Sequence, residues 1–142
     1  MTRGRLLIVA AVAAATALTV GPPVASRSSA RGVYTGAQAD QGATIYAARC
    51  AMCHGRQLEG TVEIPALSGK FVANWASRPV GDLFDYIARA MPQPAPGSLS
   101  SDDNARLVAF LLRANGAPAG NQALPADRQA LRRIDFDTVP PL

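Results

Sequence analysis

The sequence predicts a small all-α domain, and three observations support this. Two stretches, Val80–Ala88 and Leu107–Ala114, repeat apolar side chains at the spacing of a helix face. No stretch alternates apolar and polar residues for long enough to predict a strand, and no internal repeat is visible. The length of 142 residues leaves room for one domain, and 49% hydrophobic against 17% charged residues excludes a disordered chain.

Residues 1–30 predict a signal peptide. Two arginines precede an uncharged apolar run, Leu6–Val20, and small residues allow cleavage after Ser26 or Ala30. A membrane-spanning helix needs about 20 apolar residues, so this shorter run favours cleavage. We therefore expect a periplasmic protein, and a protein anchored to the outer face of the cytoplasmic membrane is the alternative.

The first helix is predicted to begin near Asp40, whose carboxylate suits an N-cap. Residues 31–39 before it are small and polar, as in a loop. Gly42, Tyr46 and Cys50 follow at intervals of four and share one helix face.

A long loop is expected over residues 55–79, with a short turn at Phe71–Trp75. The second helix follows Pro79 and ends at Pro92, which begins a proline-rich, rigid loop. Its apolar positions are Val80, Leu83, Phe84, Ile87 and Ala88.

The third helix opens with a capping box, Ser100 to Asp103, and stops at Asn115-Gly116. Its buried stripe is Leu107, Phe110, Leu111 and Ala114. The tail, residues 117–142, has a short candidate helix at Ala126–Arg133. Three apolar residues would dock the tail on the body: Leu131, Ile134 and Phe136. A disordered tail is the alternative.

The net charge of +4 first suggests a partner that is a polyanion. Three of the 14 basic residues lie in the predicted signal peptide, however, which leaves 11 basic against 10 acidic residues. A body this close to neutral is not expected to bind nucleic acid, or a membrane by charge alone. A single histidine, His54, also excludes any site that needs two.

Cys50, Cys53 and His54 form a C-x-x-C-H motif, which is typical of covalent haem attachment. Two thiols this close can bond the two vinyl groups of one porphyrin, and the adjacent imidazole can bind its iron. Three helices and long loops bury little surface, so a large apolar cofactor would also stabilise the domain.

Three other interpretations of the motif compete with haem attachment. A dithiol redox pair normally accompanies a βαβ pattern, which is absent from the sequence. A zinc site needs four ligands, and no second pair of cysteine or histidine residues exists. A structural disulfide leaves His54 unexplained. These arguments favour one covalently attached haem c with its iron.

Met91 is the predicted second axial ligand of the iron, by elimination. Met1 leaves with the signal peptide, and Met52 lies within the attachment segment. Met91 begins the rigid proline loop, which suits a fixed thioether ligand. Lys70 is a weaker candidate because its amine must first lose a proton. A role for Met91 in filling the core is the alternative.

Over residues 36–116 the chain resembles the class I cytochromes c, and the parts occur in the same order. The segments Met-Pro-x-x-x-Pro-Gly-Ser-Leu-Ser (91–100) and Ala-Phe-Leu-Leu-x-x-Asn-Gly (109–116) are similar to a narrower group. In that group, small cytochromes serve periplasmic quinoprotein alcohol dehydrogenases or terminal oxidases. The resemblance implies the class I cytochrome c fold, with three main helices and long loops around one covalent haem. After the predicted signal peptide (1–30), we therefore expect a monohaem cytochrome c domain (31–116) and a proline-containing C-terminal extension (117–142).

The resemblance also implies roles for single residues. Gly42 would allow the first helix to approach the last at Phe110. The Pro65 carbonyl would accept a hydrogen bond from His54, and Trp75 would lie near a haem propionate. Four residues would line the haem pocket: Leu67, Phe71, Leu83 and Ile87.

With both axial positions filled, no substrate reaches the iron, so we expect an electron-transfer protein rather than an enzyme. Its donor would be a dehydrogenase or a quinol-oxidising protein, and its acceptor an oxidase or another redox protein. Two alternatives stay open. One is a haem c subunit held in a membrane dehydrogenase or oxidase complex. The other is a ligand-binding or peroxidase-like haem protein, which requires that Met91 does not bind the iron.

Overall fold

The computed structural model describes residues 32–136, so the predicted signal peptide lies outside the described residues. Six helices follow in order: α1 (Gly36–Arg49), α2 (Ala51–His54), α3 (Lys70–Trp75), α4 (Val80–Ala90), α5 (Ser101–Ala114) and α6 (Arg128–Leu131). Over the described range there is no strand, and a single isolated bridge joins Pro79 to Asp135. The all-α prediction is confirmed. Between residues 32 and 136, no helix has the length and apolar character needed to cross a membrane.

The start of α1 differs from the prediction, which placed the N-cap at Asp40. The cap is Thr35, whose hydroxyl accepts a hydrogen bond from the backbone N–H of Gln38 at 3.2 Å. Asp40 lies inside the helix, and its carboxylate pairs with Arg113 of α5 at 2.6 Å. The predicted loop is therefore wrong for its last four residues, because a hydroxyl earlier in the chain satisfies the free amide of the first turn.

The helices α1 and α5 cross in close contact at Gly42. A Cβ atom placed on Gly42 would lie 1.9 Å from the backbone oxygen of Arg106 and 2.9 Å from Cβ of Phe110. Next to this crossing, the rings of Tyr46 and Phe110 pack with their centroids 5.0 Å apart. The approach that the resemblance implied at Gly42 and Phe110 is confirmed.

Local sequence signals set the ends of α4 and α5 as predicted. Pro79 is the N-cap of α4 and Met91 its C-cap. In α5 the Ser100 hydroxyl accepts from the Asp103 backbone N–H at 3.1 Å. At the far end Asn115 is the C-cap, and the next residue, a glycine, has a φ of 91°. Proline at a helix start and glycine just beyond a helix end agree with the general preference.

The chain after α5 returns across the body, and we call residues 117–136 the C-terminal strap. Four of its apolar side chains are buried: Ala117, Leu124, Leu131 and Phe136. Two of these, Leu131 and Phe136, are among the residues predicted to dock the tail. The strap packs over α4, with α6 as its only helix among the described residues. The domain boundary at residue 116 stays a prediction.

Candidate haem-binding site

The attachment motif lies at the junction of α1 and α2. Cys50 ends α1 and precedes α2, and the four residues of α2 end at His54. Gly55 follows with a φ of 79°, a conformation that favours glycine. The two thiols therefore lie one helical turn apart, with Cys50 half-buried and Cys53 exposed, and neither forms a disulfide.

The ring of His54 is oriented by the loop that follows it. Its Nδ1 lies 2.9 Å from the carbonyl oxygen of Pro65. A carbonyl only accepts hydrogen bonds, so Nδ1 is the donor in this contact, and Nε2 is the ring nitrogen available to a ligand. The backbone oxygen of His54 also accepts from the N–H of Gly60 at 2.8 Å, and Leu67 N–H donates to Leu58 O at 2.8 Å. These bonds hold the loop that carries Pro65 against α2.

An open, largely apolar cavity of about 490 Å³ adjoins the motif. Seven of the ten predicted haem-contacting residues line it: Cys50, Cys53, His54, Pro65, Leu67, Ile87 and Met91. Its volume lies in the range of cofactor pockets. The cavity is lined by two thiols, one imidazole and the thioethers of Met52 and Met91, which fit a covalent haem, because they would supply both attachment atoms and candidate ligands of its iron.

Three predicted contact residues do not line this cavity. Leu83 is buried in the core. The Phe71 ring packs between Trp75, at a centroid distance of 6.3 Å, and Phe136 of the strap, at 6.4 Å. Trp75 also packs beneath the guanidinium of Arg78 at 4.7 Å. The proposed contacts of Phe71, Trp75 and Leu83 with the haem stay predictions.

Met91 enters the cavity from the end of α4, where its N–H donates to Ile87 O at 2.9 Å. The loop after it is tied to α1, because Arg49 donates to the Ser98 hydroxyl at 2.9 Å. Lys70, the weaker ligand candidate, is exposed at the start of α3 and does not line the cavity. The geometry therefore supports Met91 over Lys70 as the second ligand.

Sequence reasoning missed several residues that line the cavity, among them Tyr86, and it also missed the role of Asn115 beside the site. Tyr86 lines the cavity, is 45% exposed and packs on Trp75 at 5.9 Å. In the sequence it lies next to the apolar stripe of α4, and an aromatic side chain at that position could have indicated that it belongs to the site. Asn115 is fully buried, and its Nδ2 donates to the backbone oxygens of Leu67, at 2.9 Å, and Leu111, at 2.8 Å. No sequence signal distinguishes this asparagine from an ordinary helix stop.

Burial raises the pKa of two groups beside the cavity, the Tyr46 hydroxyl and the Cys50 thiol. Burial, followed by the charges of Cys50 and Glu59, raises the pKa of Tyr46 to about 12. The Tyr46 hydroxyl therefore stays a donor, and it binds Gly55 O at 2.6 Å. Burial also raises the pKa of the Cys50 thiol, although the neighbouring Arg49 opposes the shift.

Comparison with known proteins gives a family and a structural relative. A family model described as "cytochrome C oxidase, cbb3-type, subunit III" matches residues 37–111. Among solved structures, the chain is similar to the crystal structure of the sulfane dehydrogenase SoxCD from Paracoccus pantotrophus. The TM-score is 0.50 at 22% identity, over 87% of this chain and 70% of the other. Among curated proteins, no match is found.

The structural relative shows the shared fold, and the family match covers more than half of the chain. The family implies a covalently bound haem c with its iron, and Cys50 and Cys53 have the spacing that this attachment needs. It also implies electron transfer by that haem. The chain thus belongs to the family described as cytochrome c oxidase, cbb3-type, subunit III, and is a class I c-type cytochrome.

Proposed function

We propose that the protein is a soluble periplasmic electron carrier whose haem has His54 and Met91 as axial ligands. It would take single electrons from a dehydrogenase or a quinol-oxidising donor and pass them to an oxidase or another acceptor. The observation that carries the proposal is the common cavity, which is lined by both thiols, the His54 imidazole and the Met91 thioether.

A haem held by Cys50, Cys53, His54 and Met91 would supply one-electron chemistry at its iron, and a thioether ligand would raise its reduction potential. The residues of the chain set the conditions for this. Pro65 keeps the proton on Nδ1 of His54, so that Nε2 is the ligating atom. Leu107 and Leu111 of α5 make the back of the cavity apolar. With His54 and Met91 both engaged, no ligand position stays open for a substrate, which favours a carrier over an enzyme.

The cavity also has an exposed apolar rim. Met52 lines the cavity and is 89% exposed. Pro94 and Ala95 of the loop after Met91 line it as well and are exposed. This rim is suited to brief contact with a redox partner over a small interface.

The axial ligands are tested by the optical spectrum of the purified holoprotein. We expect the weak far-red band of a methionine-ligated ferric iron, and no change when carbon monoxide is added to the reduced protein. Met91→Ala should lose the band and bind carbon monoxide. Met52→Ala is the matched control, since it removes another methionine that lines the cavity, and it should behave as the wild type. Prompt carbon monoxide binding by the wild-type protein would instead support a ligand-binding or peroxidase-like haem protein.

A second candidate function is a haem c subunit held permanently in a dehydrogenase or oxidase complex. The description of the matching family names an oxidase subunit, and the similar solved structure is that of an enzyme, a sulfane dehydrogenase. Cell fractionation distinguishes the two candidates. The carrier is expected in the periplasmic extract as a single small species whose N-terminus begins after Ser26 or Ala30. Recovery only with membranes, in a large species, would favour the complex or the anchored form.

A further inference from the structure

We propose that the C-terminal strap positions Met91, and that Asp85 of α4 is the residue through which it does so. The strap would hold the outer side of α4, the helix that ends at Met91, and so keep the thioether in place. This inference rests on the proposed ligation by His54 and Met91.

The main contact is an ion-pair cluster around Asp85. This aspartate is only 6% exposed, and a carboxylate is rarely buried so far unless it has charged partners. Arg128 Nε lies 2.6 Å from Asp85 Oδ1, and an Nη of Arg132 lies 3.4 Å from Oδ2. Both arginines belong to the strap. Each arginine side chain is more than half exposed, so the buried carboxylate depends on the strap for its charge partners.

The strap also contacts the start of α4 through its backbone. Val80 N–H donates to Ile134 O at 2.8 Å, and Phe136 N–H donates to Arg78 O at 2.9 Å. At Gly81 the two segments are so close that a Cβ atom would lie 3.0 Å from the backbone nitrogen of Arg132. These contacts fix the strap along the first half of the helix.

The other end of the strap is fastened to the segment around α1. The Gln38 side chain pairs with the Leu124 backbone in both directions, at 2.8 Å to the carbonyl and 2.7 Å from the N–H. The backbone oxygen of Tyr34 accepts from Gly120 N–H at 2.7 Å, and its hydroxyl donates to Ala117 O at 2.5 Å. The strap therefore joins the segment around α1 to α4 and restrains α4 relative to that segment.

The helix α4 lies between the strap and the cavity. It packs on α5 and on α6, while Tyr86 and Ile87, which follow Asp85 directly, line the cavity. Met91 is six residues beyond Asp85, or about 9 Å along a helix axis. A thioether leaves its site when the end of α4 and the adjoining loop open locally. Because the strap packs against α4 on the side away from the cavity, loss of its ion pairs makes this opening more frequent.

The test is the rate at which imidazole displaces the methionine in the ferric holoprotein, followed by loss of the far-red band. Asp85→Asn keeps the shape of the side chain but removes its charge, and we expect this rate to rise about tenfold, which corresponds to a loss of about 1.4 kcal/mol. Asp82→Asn is the matched control. It removes the same charge from the same helix, but its partner Arg78 lies just before α4 and not in the strap, and the pair is partly exposed, so the rate should stay within about twofold.

Two further variants make the result decisive. Arg128→Gln changes an exposed side chain that the fold can lose, so it decides the question if Asp85→Asn does not fold, and it should also raise the imidazole rate. Ser100→Ala removes the cap of α5 and lowers general stability, yet the rate should stay near the wild-type value.

If the wild type shows the far-red band and the imidazole rates of Asp85→Asn and Arg128→Gln equal that of the wild type, the role of the strap is overturned. The proposed ligation by Met91 then still stands. Absence of the band in the wild type, with imidazole binding as fast as in Met91→Ala, overturns the ligation and the strap proposal together.

Discussion

Among single residues, Tyr46 shows how burial next to the cavity fixes a hydrogen-bond donor. The side chain is 3% exposed, its ring packs on Phe110, and its hydroxyl binds the Gly55 carbonyl directly after the attachment motif. Its pKa of about 12 lies above the ordinary value of 10, so the folded protein keeps this proton where the unfolded chain loses it.

This difference in pKa gives a pH-dependent stability. The contribution of Tyr46 is fully present below pH 10, and the free energy of unfolding should fall as the pH rises from 10 to 12. In urea unfolding, Tyr46→Phe should cost about 1 kcal/mol at neutral pH through the lost hydrogen bond. Above pH 10 its stability should fall less steeply than that of the wild type, by up to about 1.4 kcal/mol per pH unit. Parallel pH profiles of the two proteins would contradict this account.

At the scale of elements, the contact of α1 with α5 depends on the absence of a side chain at Gly42. Gly42→Ala places a methyl group against the backbone of Arg106, and a rigid backbone oxygen cannot move aside. We expect the free energy of unfolding to fall by at least about 2 kcal/mol, since overpacking forces helices apart. Urea unfolding of the holoprotein measures this.

The same helix supplies a matched control at Gly36. A Cβ atom there meets no atom within 4 Å, and the residue is the first of α1. Gly36→Ala should therefore change the free energy of unfolding by less than about 1 kcal/mol, in the stabilising direction, because alanine favours helix. A Gly42→Ala variant that is as stable as Gly36→Ala would show that helix propensity, and not the crossing, determines the effect.

At the scale of the whole molecule, the distribution of charge bears on how the protein meets its partners. Outside the predicted signal peptide the chain has 11 basic and 10 acidic residues, and several of these form ion pairs within the body. Such a body has a weak long-range field. The second-order rate of oxidation by ferricyanide should therefore change by less than about twofold between 20 and 200 mM salt. A steep decline with salt would reveal a local basic patch at the cavity mouth.

Several features followed from short stretches of sequence. The haem attachment site could be predicted because Cys50, Cys53 and His54 lie within five consecutive residues. The prediction therefore did not depend on the fold. The ends of α4 and the capping of α5 by Ser100 were predictable for the same reason, because proline geometry and a capping hydroxyl act within one helical turn. The helical period identified the buried apolar residues of α4. In α5 it was wrong for Ala114, which is exposed, and it missed Val108 and Leu112, which are fully buried.

Tertiary structure decided what depends on residues far apart in the chain. Thr35 rather than Asp40 caps α1, and Arg113 of a distant helix takes the aspartate instead. The sequence alone does not decide whether the strap is ordered, because its few apolar residues become ordered only where they pack on another surface. That surface is α4. Its Asp85 is buried, whereas a helical aspartate is expected from sequence to face solvent. Local chemistry thus determined the cofactor site, whereas long-range packing determined what surrounds and holds it.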